Sequence, residues 1–273
     1  MTPKAFVSRM GFVLFLVVVA TFWALPMLWL VLAPFDAHPG LRVKWPDFTL
    51  DNFRQVAENP YALSSLRNSI IISGGAMILV TAFAALAAYA LSRVRLPGRD
   101  VMLYVLLLLS SIVTGTAAMV PIFQLMFALG LIDDRSGVVL VLTGGLLPAA
   151  IFILKDFMDA TPRSYEESAR VFGASPTQVL RHVVLPIARP GLATIAVWAL
   201  VNAWGDFLIA YILLRDPEKT PAGVLMYTFY NEGGQANLPV ISAFSLLYAL
   251  PVVALYLFVN RRYGFRFHGG IKH

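Results

Sequence analysis

The sequence predicts an all-α polytopic membrane protein with six transmembrane helices. Three observations carry that reading. Of its 273 residues, 59% are hydrophobic and 13% charged, against about a quarter charged in an ordinary soluble domain. Six apolar runs approach or exceed the roughly 20 helical residues that cross a hydrocarbon core about 30 Å thick. The basic residues are distributed unevenly between alternate connections, as expected when one side of the membrane is cytoplasmic.

The first run, Gly11 to Ala33, follows Lys4 and Arg9 and so begins like a signal peptide. Its apolar stretch is too long for a signal h-region and five more runs follow, so it reads as a retained span. The second, Ser69 to Leu91, and the fourth, Gly137 to Phe157, follow at regular intervals; Gly144, Gly145 and Pro148 predict a kink in the fourth. The third, Val101 to Phe127, holds Ser110, Ser111, Thr114, Gly115 and Thr116, then Pro121 and Gln124, and should be easily broken. Helix breaks are tolerated at membrane depth where backbone meets protein or a watery cavity, and close packing through small residues explains the same composition. The fifth and sixth run from Gly191 to Leu213 and from Val240 to Asn260, completing one transmembrane domain over residues 1–273.

Fourteen of the 21 basic residues fall on the side that holds both ends of the chain, among them Arg93, Arg95 and Arg99 in the second connection and Arg163, Arg170, Arg181 and Arg189 in the fourth. Both termini are therefore expected in the cytoplasm. Scattered over short loops without stacking aromatics, these cations do not suggest nucleic-acid binding. There is no cysteine, the four histidines lack metal-ligand spacing, and no phosphate loop, HExxH or GxSxG is present. No catalytic role and no cofactor are expected in this chain.

Two connections are long enough to hold structure. The outer one contains HPGLRVKWPDFTLDNFRQV, where Thr49 or Asp51 caps a short predicted helix through Val56. An interfacial helix and a contact for an outside partner both fit it. The inner one, about 161–190, contains YEESARVFGASPTQVLRHVVLPIARP. Ser164 and Glu167 have capping-box spacing, so a helix is expected from about Tyr165 to a C-cap at Gly173. Ser175-Pro176 restarts it, with Val179, Leu180, Val183 and Val184 on one side and a stop before Pro186. An amphipathic bend of this kind can lie on lipid headgroups. The acidic pair Glu166 and Glu167 would be repelled there, which favours a peg for another protein's groove.

Glu167-Ser168-Ala169, then Gly173, then Leu185-Pro186 resembles the EAA loop of bacterial ABC importer permeases, with Ser168 in place of alanine and Phe172 where an acidic residue is common. Arg67-Asn68-Ser69, AAYALSRVRLPGRD (Ala87 to Asp100) and the tail HGGIKH are similar to the carbohydrate branch, specifically the smaller permease of maltose-type and glycerol-phosphate-type importers. The resemblance implies a type I importer fold with a cytoplasmic bihelical coupling loop, in a multi-pass subunit of the bacterial plasma membrane. It implies as partners a second homologous permease, two ATP-binding ATPase subunits that hold ATP and Mg, an external solute-binding protein and membrane lipids. Glu166, Glu167, Ser168, Ala169, Gly173, Leu185 and Pro186 would then face or shape the ATPase contact, and Gly270 and Lys272 of the tail would reach toward the ATPase dimer.

Polar groups within spans mark a pathway or helix packing. In VNAWGDFLIAY of the fifth span, Asn202, Trp204 and Asp206 lie within about one turn and offer amide, indole and carboxylate to a sugar; the stretch resembles the W-x-D/E-F motif of sugar permeases. Thr114 and Gln124 are further pathway candidates. The alternative is that Trp204 packs and Asp206 bonds a neighbouring helix. A sugar or oligosaccharide is the expected solute, a glycerol-phosphate compound the nearest alternative. A stand-alone secondary transporter should show intramembrane charge relays, whereas Asp206 is the one acidic residue well within a span.

Overall fold

The computed structural model describes residues 3–40, 42–94, 97–113, 116–229 and 236–263, and these are mainly helical, with an isolated antiparallel β-bridge between Asp36 and Phe48. The chain divides into two compact units, one within Met1–Ala62 and Met226–Pro251, the other within Leu63–Leu225 and Val252–His273.

The first unit begins with α1 (Pro3–Leu32), which is exposed over residues 9–28. A short 3-10 turn, Ala33–Phe35, leads into the outer connection. There Asp36, 3% exposed, accepts from Lys44 at 2.9 Å and from the backbone N–H of His38 and Asp47. Burial pushes its carboxyl up, but the Lys44 ammonium and the two N–H groups outweigh it and hold the group below its ordinary value. Asn52 of α2 (Asp51–Glu58) donates to the carbonyls of Pro34 and Asp36, and Phe35 stacks on Phe48 at 5.8 Å. Thr49 accepts the N–H of Asp51 at 3.1 Å but lies one residue ahead of the N-cap, Leu50, and Asp51 is already the first helical residue, so α2 starts with no side-chain cap.

The second unit is built around α3 (Ala62–Arg93) and α6 (Arg135–Asp159). Ala76, Val80, Ala84 and Ala88 recur every four residues along one face of α3 and are wholly buried, the small-residue spacing that lets membrane helices approach closely. Two apolar clusters result. One joins Val80, Ala84 and Ala88 to Leu154 and Met158 of α6; the other joins Ala76 to Val138 and Leu142 at its opposite end.

Among the described residues, four predicted spans are helices long and apolar enough to cross a membrane: Arg9–Phe35, Ala62–Arg93, Arg135–Asp159 and Leu238–Arg261. The other two are divided. The third is α4 (Arg99–Val113), a 3-10 turn at Thr116–Ala118 and α5 (Met119–Ala128), broken within the Ser/Thr/Gly stretch. The fifth is α10 (Arg189–Trp204) and α11 (Leu208–Leu213), separated at Gly205. Helices α12 (Ala222–Thr228) and α13 (Leu238–Tyr263) close the chain.

Candidate functional site

The inner connection folds as paired short helices. The first, α7 (Ser164–Val171), is opened by the Arg163 carbonyl, which accepts the N–H of both Glu166 and Glu167 at 3.0 Å. The expected capping box of Ser164 with Glu167 does not form, because the helix starts one residue earlier and Ser164 is already inside it. The end is as the sequence predicts: Gly173 has φ +84°, its N–H reaches Arg170 O at 2.9 Å and that of Ala174 reaches Ala169 O at 3.1 Å, the paired bonds of a Schellman motif.

Ser175 then caps α8 (Pro176–Val179), and here a reciprocal box does form: Ser175 Oγ accepts from Gln178 N, and Gln178 Oε1 accepts from Ser175 N at 2.8 Å. The S-x-x-Q spacing carried that signal. The helix does not stop before Pro186. Leu180–Val184 form a π turn in which Leu185 N–H bonds Leu180 O, and the shifted register absorbs the donor Pro186 lacks, so α9 (Leu185–Ile187) continues through it. The axis then bends by 76° into α10.

The loop has a buried underside and an exposed tip. Val179 and Val184 are wholly buried, with Ala169, Ala174, Leu180 and Leu185 packed on the same cluster. Glu167, Ser168 and Gly173 are exposed, and Val171 and Phe172 stand out at 84% and 91% exposure. Glu166 does not share that surface. It is 3% exposed, bonded to Arg93 and Tyr89 of α3. Tyr89 and Arg93 belong to the AAYALSR stretch at the end of the second span, which no local signal in the sequence links to this loop.

The fifth-span residues do not share one face. Helix α10 ends at Trp204, which is buried; Asn202 is exposed and donates to Trp198 O at 2.8 Å; Asp206, one residue ahead of the Phe207 N-cap of α11, accepts the N–H of Ile209 at 3.1 Å. Trp204 and Asp206 do line one small cavity of about 10 Å³ with Ser69, Ala210 and Pro221, room for about one water. Gln124 is exposed on α5, while Thr114, Gly270 and Lys272 lie outside the described residues.

Asn68 and Ser69, noted in the sequence, pin the connection between α11 and α12. Asn68 Nδ2 donates to the carbonyls of Glu218 and Thr220 at 2.8 and 3.0 Å, and Ser69 Oγ accepts from Ala222 N at 2.9 Å. From the α5–α6 turn, Asp133 accepts the N–H of Arg215 and Asp216, each at 3.0 Å, and the Lys219 ammonium at 3.2 Å.

Residues 81–265 match the family described as binding-protein-dependent transport system inner membrane component. The maltodextrin transport system permease protein MdxG of Bacillus subtilis is 30% identical over 79% of this chain and 77% of its own. The trehalose transport system permease protein SugB of Mycobacterium tuberculosis is 30% identical over 89% and 94%. Among solved structures, a bacterial ABC transporter involved in the import of the acidic polysaccharide alginate has a chain that superposes with a TM-score of 0.81, covering 96% of this chain and 98% of that one at 23% identity.

Proposed function

This chain belongs to the family of binding-protein-dependent transport system inner membrane components, and from that premise we propose that it is one permease of an ATP-driven importer for a sugar or oligosaccharide. It is a multi-pass membrane transport subunit. The solute class is drawn from relatives named for maltodextrin and trehalose transport. A second, similar permease completes the pathway, an external solute-binding protein delivers the solute, and both termini lie in the cytoplasm. Two partner ATPases bind and hydrolyse ATP with Mg.

One observation carries the mechanism: a paired-helix loop whose underside is buried while Val171 and Phe172 are exposed at its tip. Exposed apolar side chains on a firmly held support suit a groove in another protein. The tip enters the ATPase, with Glu167 and Ser168 beside it. Closure of the ATPase dimer on ATP then pushes the loop, and the 76° bend at Ala188 carries the displacement into α10. Asn202 and Trp204 near the far end of α10, Asp206 just beyond it, and Thr114 and Gln124 border the solute's path. Gly270 and Lys272 give the tail a second ATPase contact.

The test is co-purification of the tagged permease with candidate ATPases, followed by ATP hydrolysis in nanodiscs, for the native chain, Phe172→Asp and Gly173→Pro. The expected result is an ATPase retained by the native chain and lost by both variants; Gly173→Pro cannot adopt the positive φ found there. A native chain that purifies stably alone and recruits no ATPase would overturn the reading.

A further inference from the structure

The geometry points to Arg93 and Glu166 as positioning residues, a buried pair that fixes α7 to the ends of α3 and α6 so that the loop and both helices move as one body. The functional half of this inference rests on the importer reading above.

A carboxylate as buried as Glu166 is costly unless each oxygen is bonded. Here Oε1 accepts from Arg93 Nε at 2.6 Å, Oε2 accepts from the Tyr89 hydroxyl at 3.1 Å, and Arg170 lies at 3.8 Å. Arg93 is the last residue of α3, and its guanidinium reaches beyond Glu166. Its other nitrogens donate to Ser92 Oγ at 2.8 Å, to Met158 O at 3.2 Å and to Thr161 O at 3.3 Å. Those last two carbonyls are at the C-terminal end of α6, where a cation is favoured. Arg163, just ahead of α7, returns a bond to Ser92 O at 3.1 Å. Ser92 Oγ also donates to Asp159, which is paired with Lys155 at 2.7 Å. One planar guanidinium therefore joins three elements, and its rigid fork is something a lysine cannot reproduce.

The adjacent glutamates have different jobs. Glu167 is exposed at the tip side of α7, whereas Glu166 points into the body of the unit. Without the pair, α7 is tied down through the Arg163 bond to Ser92 O, the short apolar contacts of Ala169 and Ala174, and its two connections. A displacement applied at Phe172 would then be taken up by α7 alone.

The sequence contains no cysteine, so two introduced ones can be spin-labelled: Leu86→Cys on α3 and Val171→Cys on α7, both on exposed side chains. In the full permease in nanodiscs, a single narrow distance distribution is expected. It should broaden about twofold in Glu166→Gln and Arg93→Lys, and less in Tyr89→Phe, because removing part of a buried pair leaves the remainder uncompensated. Tyr89→Phe deletes one hydroxyl only and supplies a foldable variant if the charge changes do not fold. In the assembled, unlabelled complex, Glu166→Gln should retain its ATPase yet lose about two- to thirtyfold in ATP-driven turnover. Native widths in all folded variants would overturn the inference, showing the pair to be stabilising only. A native chain that recruits no ATPase removes the importer reading, and the distance measurement still decides whether the pair positions α7.

Discussion

Gly191, the third residue of α10, lies flat against Phe157 near the end of α6: a Cβ at Gly191 would sit 2.7 Å from Phe157 Cγ and 3.0 Å from its Cβ. The clash is with the root of the ring, which cannot swing away without moving the α6 backbone. Gly191→Ala should therefore destabilise the permease by about 1–3 kcal/mol through overpacking. Thermal melting in detergent checks this, with Gly144→Ala as the control, since a Cβ at Gly144 meets nothing within 4 Å.

The two serines that begin the loop's helices should behave differently. Ser175→Ala removes a cap that is used, and a loss of about 1 kcal/mol is expected. Ser164→Ala removes no cap and should stay within about 0.5 kcal/mol of the native chain. Equal effects in urea-induced unfolding would contradict the assignment of the capping box to Ser175 and Gln178.

Asn68→Ala leaves the buried Thr220 carbonyl without its amide donor, while the exposed Glu218 carbonyl keeps Arg135 Nη2 at 3.3 Å. A buried acceptor left unpaired costs about 1–3 kcal/mol. The loss should be local, and hydrogen exchange of residues 215–222 should rise while that of α6 stays unchanged.

The Asp133 carboxyl is held below its ordinary value of 3.8 first by the N–H of Asp216, then by that of Arg215, against the opposing effect of burial and with help from the Lys219 ammonium. A lowered value in the folded state means that stability is present above the ordinary value and lost as pH falls through the lowered one. Native chain and Asp133→Asn should therefore differ in melting temperature at pH 7, and the gap should narrow as pH drops below 3.8. A gap independent of pH would show that charge plays no part in holding the α11–α12 connection.

Much of this architecture is legible in the sequence because its signals are local. Apolar runs locate α1, α3, α6 and α13; the Ser/Thr/Gly stretch marks the break between α4 and α5. Gly173 announces its C-cap and Ser175-Pro176 the restart. The misreadings have equally local causes. Two serines with capping-box spacing lie eleven residues apart, and nothing in the pattern says that α7 starts one residue early. Pro186 reads as a stop because a π turn leaves no compositional mark.

Taken alone, the sequence determined that this chain is a helical membrane protein and where its central loop lies, since hydrocarbon length and turn chemistry act over a few residues. Tertiary structure alone decided which of two adjacent glutamates turns inward. Glu166 meets Tyr89 and Arg93 across more than seventy residues of chain, and a buried charge is placed by the partner that compensates it, wherever in the sequence that partner lies.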